Sequence, residues 1–122
     1  MNKEKRENFI GYLDQRTSVI DGKISQLIRD NRRDDANFEK IRVNIYQIFK
    51  TVFQTSLRIS TEEEKQLEFF KARLKDFEKT WKTALDKATE HNDTTRILQE
   101  QLKLQVLNEV RNTFEGIWEV TV

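Results

Sequence analysis

The chain contains no proline, and Gly11, Gly22 and Gly116 are its only three glycines in 122 residues. Proline and glycine form many of the turns that sheets and irregular loops require, so a fold with many connections has little to build its turns from. We therefore expect an all-α protein and exclude a sandwich, a barrel or a Rossmann-like sheet. The length favours a single domain that spans residues 1–122.

The remaining composition excludes several classes of site. The chain has no cysteine, which removes disulfides, thiolate metal sites and cysteine nucleophiles. Its 22 basic residues nearly balance its 21 acidic residues. No apolar run exceeds two residues, so neither a signal peptide nor a membrane span is expected, and the expected location is the cytoplasm.

Apolar residues recur at alternating spacings of three and four, which is the pattern of amphipathic helices. The first seam comprises Ile10, Leu13, Thr17, Ile20, Ile24 and Leu27. The second comprises Phe38, Ile41, Ile45, Ile48, Val52, Thr55 and Ile59, and it is widened by Tyr46, Phe49 and Phe53. The third comprises Leu67, Phe70, Leu74, Phe77, Trp81, Ala84 and Ala88. The breadth of the second seam predicts the most buried helix.

The fourth stretch carries more apolar surface than one seam needs. Its first row is Leu98, Leu102, Val106, Val110 and Ile117, and its second row is Leu104, Leu107, Phe114 and Trp118. Either this helix is buried on two sides, or part of it is a contact surface for another chain.

Helix-capping residues separate the four stretches. Asn and Asp cluster in residues 31–35 and 91–95, and Ser60 and Thr61 precede three glutamates, which predicts two capping boxes. We place helices at about 4–29, 35–59, 62–90 and 94–119, with ends uncertain by ~2 to 4 residues. Short connections then predict an antiparallel up-down four-helix bundle with coiled-coil-like heptad packing. The alternative is a continuous helix through Ser60, which would give a long helical hairpin that dimerises.

No residue pattern points to catalysis. His91 is the only histidine, and Ala88 stands where the Glu-x-x-His pattern of di-iron bundles would place a glutamate. No serine lies in a Gly-x-Ser-x-Gly turn, and the glycines are too scattered for a phosphate loop. We therefore expect no enzyme, catalytic residue, cofactor, metal or small-molecule substrate. An enzyme that uses carboxylates alone remains an alternative, and it would need a pocket in which two acidic groups converge.

Nucleic-acid binding is a second alternative, and the charges disfavour it. Residues 36–60 carry four basic groups and one acidic group, but these are spread over a mostly apolar helix. Binding to phosphates requires several cations at one face, which a nearly neutral chain lacks. Membrane-surface binding is disfavoured for the same reason.

We expect instead a non-catalytic protein-interaction module that self-associates or holds a helical partner. On the fourth helix the candidate contact residues are Leu98, Leu102, Val106, Val110 and Trp118. On the first helix they are Gly11, Ser18 and Gly22, a strip of small residues that would allow another helix to approach closely; the alternative is that these residues make the first helix mobile and weakly stable.

In size, neutrality, lack of proline and four-stretch pattern, the chain is similar to small helical accessory partners of type VII secretion substrates. The resemblance implies an accessory binding role. The Trp-x-Gly turn of that family is absent, since Gly116 precedes Trp118 in the reverse order, and no residue role is carried over.

Overall fold

The computed structural model describes all residues 1–122 and contains four helices and no strand. They are α1 (Lys3–Arg29), α2 (Arg33–Ile59), α3 (Glu63–Glu90) and α4 (Thr94–Trp118). Three residues join each consecutive pair, so neighbouring helices run antiparallel. The predicted up-down four-helix bundle is confirmed, and each helix begins and ends within two residues of its predicted bound. No helix is long and apolar enough to cross a membrane.

Asparagine provides the turns that glycine would otherwise make. Asn31 and Asn92 follow α1 and α3 with φ of 59° and 52°, in the left-handed region that asparagine tolerates better than most residues. The N–H of Arg32 then donates to the carbonyl of Leu27 at 2.8 Å, and the equivalent bond after α3 is 3.0 Å. These bonds close the helix ends and reverse the chain.

The junction between α2 and α3 is a real break, so the continuous-helix alternative is wrong. Ser60 has extended backbone angles, and its Oγ accepts from the N–H of Glu62 at 3.0 Å. The buried side chain of Gln66 donates to the carbonyls of Leu57 and Ser60, at 3.3 and 2.7 Å. The two predicted capping boxes do not form, because α3 begins with no side-chain cap at Glu62. A glutamine inside α3 caps the end of α2 instead.

One apolar core of 19 buried residues contains side chains from all four helices. Helices α2 and α4 each pack closely against the three other helices, whereas α1 and α3 lie farther apart and meet through side chains such as Phe9 and Phe70, whose ring centroids are 5.6 Å apart. As predicted, α2 contributes the most buried residues. Its aromatic residues Tyr46, Phe49 and Phe53 are completely buried, while Ile59 of the predicted seam is exposed. The centre of the buried face is therefore the aromatic side of α2.

The two ends of the bundle are packed differently. At the end that holds the chain termini, five aromatic rings pack with centroids 4.8 to 5.7 Å apart, and these are Phe9, Phe53, Phe70, Phe114 and Trp118. We call this the aromatic end. The opposite end, which holds the turns at residues 30–32 and 91–93, is called the open end. There α3 contributes Ala84 and Ala88 in place of rings, and two cavities of about 620 and 530 Å³ lie near it.

Candidate functional site

The candidate contact residues of α4 are buried in one part of the helix and exposed in another. Val106, Val110 and Trp118 are buried in the core, where α4 is covered by the other three helices. The assignment of these three residues to a partner surface is therefore corrected, because the bundle itself covers them. Leu98 is 53% exposed and Leu102 is half-buried. Only the part of the row near the open end reaches the surface.

Leu98 and Leu102 line a groove between α2 and α4, with a volume of about 530 Å³. Three apolar side chains line its centre, those of Phe38, Leu98 and Leu102. The other lining residues are the ion pair of Glu39 and Arg42 and the amides of Gln101 and Gln105. We call it the α2–α4 groove. It is a concave surface that combines an apolar centre with polar and charged side chains.

The charged part of the groove contains both signs. The carboxylate of Glu39 lies 3.2 Å from Nη1 of Arg42 and 3.1 Å from Nζ of Lys23 on α1. The Nε of Arg42 is buried and has no acceptor within the chain. A molecule that covers the groove therefore meets the ion pair of Glu39 and Arg42.

The small-residue strip of α1 has no neighbour inside the bundle. Gly11, Ser18 and Gly22 are exposed, and no atom lies within 4 Å of a Cβ built at either glycine. The close approach expected at this strip does not occur within the chain, because α1 packs through its opposite, apolar face.

A polar cluster that joins α1, α2 and α4 was not expected from the sequence. The Tyr46 hydroxyl donates a hydrogen bond to the Glu109 carboxylate. The Nε of Arg16 lies 3.3 Å from that hydroxyl and 3.2 Å from the carboxylate. The Tyr12 ring packs edge-on against Tyr46, and its buried hydroxyl lies near Thr113 and Glu109 but forms no hydrogen bond of normal geometry with either. Burial raises the pKa of both tyrosines, and the hydrogen bond to Glu109 raises the pKa of Tyr46 further.

The signal for this cluster is weak in the sequence. Tyrosine at a core-facing helical position needs a partner for its hydroxyl, which does indicate that a polar group is near. The partner Glu109 lies 63 residues away on another helix. The spacing of residues along one helix cannot predict that Tyr46 and Glu109 are hydrogen-bonded.

The structure brings few chemically reactive groups together. No group of three or more His, Asp or Glu side chains is arranged to hold a metal ion. His91 is exposed and forms no side-chain hydrogen bond or ion pair. Each of the two large cavities is lined by a single carboxylate, Asp93 in one and Glu39 in the other. Neither contains the two converging acidic groups that a carboxylate enzyme would need.

The basic groups of α2 are partly neutralised by ion pairs. Arg42 pairs with Glu39, and Nζ of Lys50 lies 2.7 Å from the Asp14 carboxylate. The other two basic groups of residues 36–60, Lys40 and Arg58, are exposed and form no ion pair.

Comparison of the chain with protein family models, curated protein sequences and solved structures found no significant match.

Proposed function

We propose that the chain is a non-catalytic helical interaction module that forms a homodimer through the α2–α4 groove. The observation that supports this proposal is the exposure of Leu98 beside an apolar concavity lined by Phe38 and Leu102. Burying a leucine completely stabilises a complex by roughly 1.5 to 3 kcal/mol, and a two-fold interface would bury two copies of Leu98.

A second copy of the chain suits the charges of this groove. A two-fold axis sets the same patch against itself, so the carboxylate of Glu39 on one copy can approach Arg42 on the other. The exposed amides of Gln101 and Gln105 can donate to and accept from each other across the same axis. The net charge of +1 adds little repulsion between copies.

Sedimentation velocity over a concentration series tests the proposal. We expect the native chain to dimerise, and Leu98→Asp to weaken dimerisation by at least about tenfold, because it places a carboxylate in an apolar contact. The matched control is Ile59→Asp at the aromatic end, since Ile59 is 47% exposed and lies outside the groove. We expect this control to dimerise as the native chain does.

Two results would overturn the proposal. One is a native chain that stays monomeric at about 100 µM, well above the micromolar dissociation constants of ordinary complexes. The other is a loss of dimer in Ile59→Asp that equals the loss in Leu98→Asp. Circular dichroism of each variant separates lost association from lost folding.

A further inference from the structure

The cavity of about 620 Å³ at the open end has a different chemistry from the groove and shares no lining residue with it. It lies along the last three turns of α3 and reaches the start of α4. Small side chains line it between the charged ones, among them Thr80, Thr83 and Ala84. These small side chains leave space between the cationic side chains that line the cavity.

The cavity concentrates positive charge in a nearly neutral chain. Lys79, Lys87 and Arg96 line it against one carboxylate, that of Asp93. Neither lysine forms an ion pair, although most other lysines and arginines of α3 and α4 do. His91 adds a further nitrogen donor or acceptor on the same side of α3.

Two nearby acidic groups, Asp93 and Glu100, are already engaged, whereas Asp86 and Glu90 are exposed beside Lys87 on α3, form no ion pair and lie outside the cavity lining. The Asp93 carboxylate accepts from the N–H of Arg96 at 3.1 Å as the cap of α4. Glu100 approaches Lys103 at 3.1 Å more closely than Arg96 at 3.7 Å. Because the Asp93 carboxylate caps the positive end of α4, that helix end adds little to the field of the cavity.

The geometry points to a binding site for a polyphosphate chain, either free or as part of a nucleoside triphosphate. The Cα atoms of Lys79 and Lys87 are eight residues, or about 12 Å, apart along the helix, so a ligand longer than one phosphate can contact both lysines without their side chains bending toward each other. A chain of linked phosphates can contact both lysines and Arg96 together. Lysine and arginine form their strongest hydrogen bonds to phosphate oxygens, and the threonine hydroxyls can donate as well.

Calorimetric titration of the full chain with inorganic triphosphate at low salt tests this site. We expect saturable binding of one triphosphate per chain. In Lys79→Gln/Lys87→Gln the affinity should fall at least about tenfold, because two charge-assisted contacts are removed. The matched control is Lys75→Gln/Lys82→Gln, which removes the same charge from exposed positions of α3 outside the cavity. We expect the control to lose much less affinity than Lys79→Gln/Lys87→Gln, because it removes the same charge without removing a contact to the ligand.

A second titration with ATP and with adenosine identifies what is recognised. We expect ATP to bind as triphosphate does and adenosine not to bind, and we expect triphosphate to shift the amide resonances of residues 94–96. The inference is overturned by the absence of saturable binding, by adenosine binding as tightly as ATP, or by equal losses in the two double variants. Dimerisation plays no part in this inference, so Leu98→Asp serves as a further control that should bind triphosphate normally.

Discussion

Tyr12 and Tyr46 are the only two tyrosines of the chain, and their hydroxyls differ in one respect. The hydroxyl of Tyr46 is bonded to Glu109 and Arg16, whereas the buried hydroxyl of Tyr12 has no partner. We expect Tyr46→Phe to lower the free energy of unfolding by about 1 to 2 kcal/mol, because it breaks hydrogen bonds to charged groups. Tyr12→Phe removes a desolvated group without a bond, so stability should stay unchanged or rise by up to about 1 kcal/mol. Urea denaturation measures both, and an equal loss in the two variants would contradict this account.

The same two residues predict how stability changes in alkaline solution. Their pKa values are raised in the folded state by burial, so they stay protonated there after the tyrosines of the unfolded chain begin to ionise near pH ~10. The folded chain then binds more protons than the unfolded chain, and the free energy of unfolding falls as pH rises above that point. Urea denaturation below and above pH ~10 should show a smaller fall in Tyr12→Phe/Tyr46→Phe than in the native chain. An identical fall in both would mean that the lysines alone cause it.

Residue patterns in the sequence do not predict this cluster. The breadth of the second seam predicts that Tyr46 lies near the core, yet its partner Glu109 is contributed by α4. Pairing between helices depends on their rotation and relative height, which seven-residue spacing leaves open.

At the scale of the helices, the seams and breaks predict where α1 to α4 begin and end, because periodicity and capping residues are local signals. They predict less well which side of α2 is most buried. The isoleucine row has the cleaner spacing, but the rings of Phe49 and Phe53 bury more apolar area each and so face the core.

The α2–α3 junction depends on a contact that local capping rules do not include. Gln66 is buried in α3 and donates to two carbonyls at the end of α2. We expect Gln66→Ala to cost about 1 to 3 kcal/mol in unfolding free energy, because it leaves these carbonyls without a donor. Glu68→Ala, at an exposed position of the same helix, should stay within about 0.5 kcal/mol. Chemical denaturation compares them, and a similar small effect in both would show that water replaces the glutamine.

At the scale of the whole molecule, absent proline, scarce glycine and four seams are sufficient to predict the bundle. They do not predict that one end is filled by five aromatic rings while the other is open. That difference depends on which seam residues of the four helices lie at the same level along the axis of the bundle. It places Leu98 on the surface and Val110 in the core, although both belong to one apolar row.

Site-directed cross-linking tests the proposed dimer most directly, because the chain has no cysteine and one introduced thiol is unique. Gln101→Cys places that thiol in the groove, and Gln47→Cys places one on an exposed part of α2 outside it. With a short bismaleimide, we predict covalent dimers from Gln101→Cys, and far fewer when Leu98→Asp is added or when the thiol is at Gln47. Equal cross-linking from both positions, or none from Gln101→Cys, would contradict self-association through the α2–α4 groove.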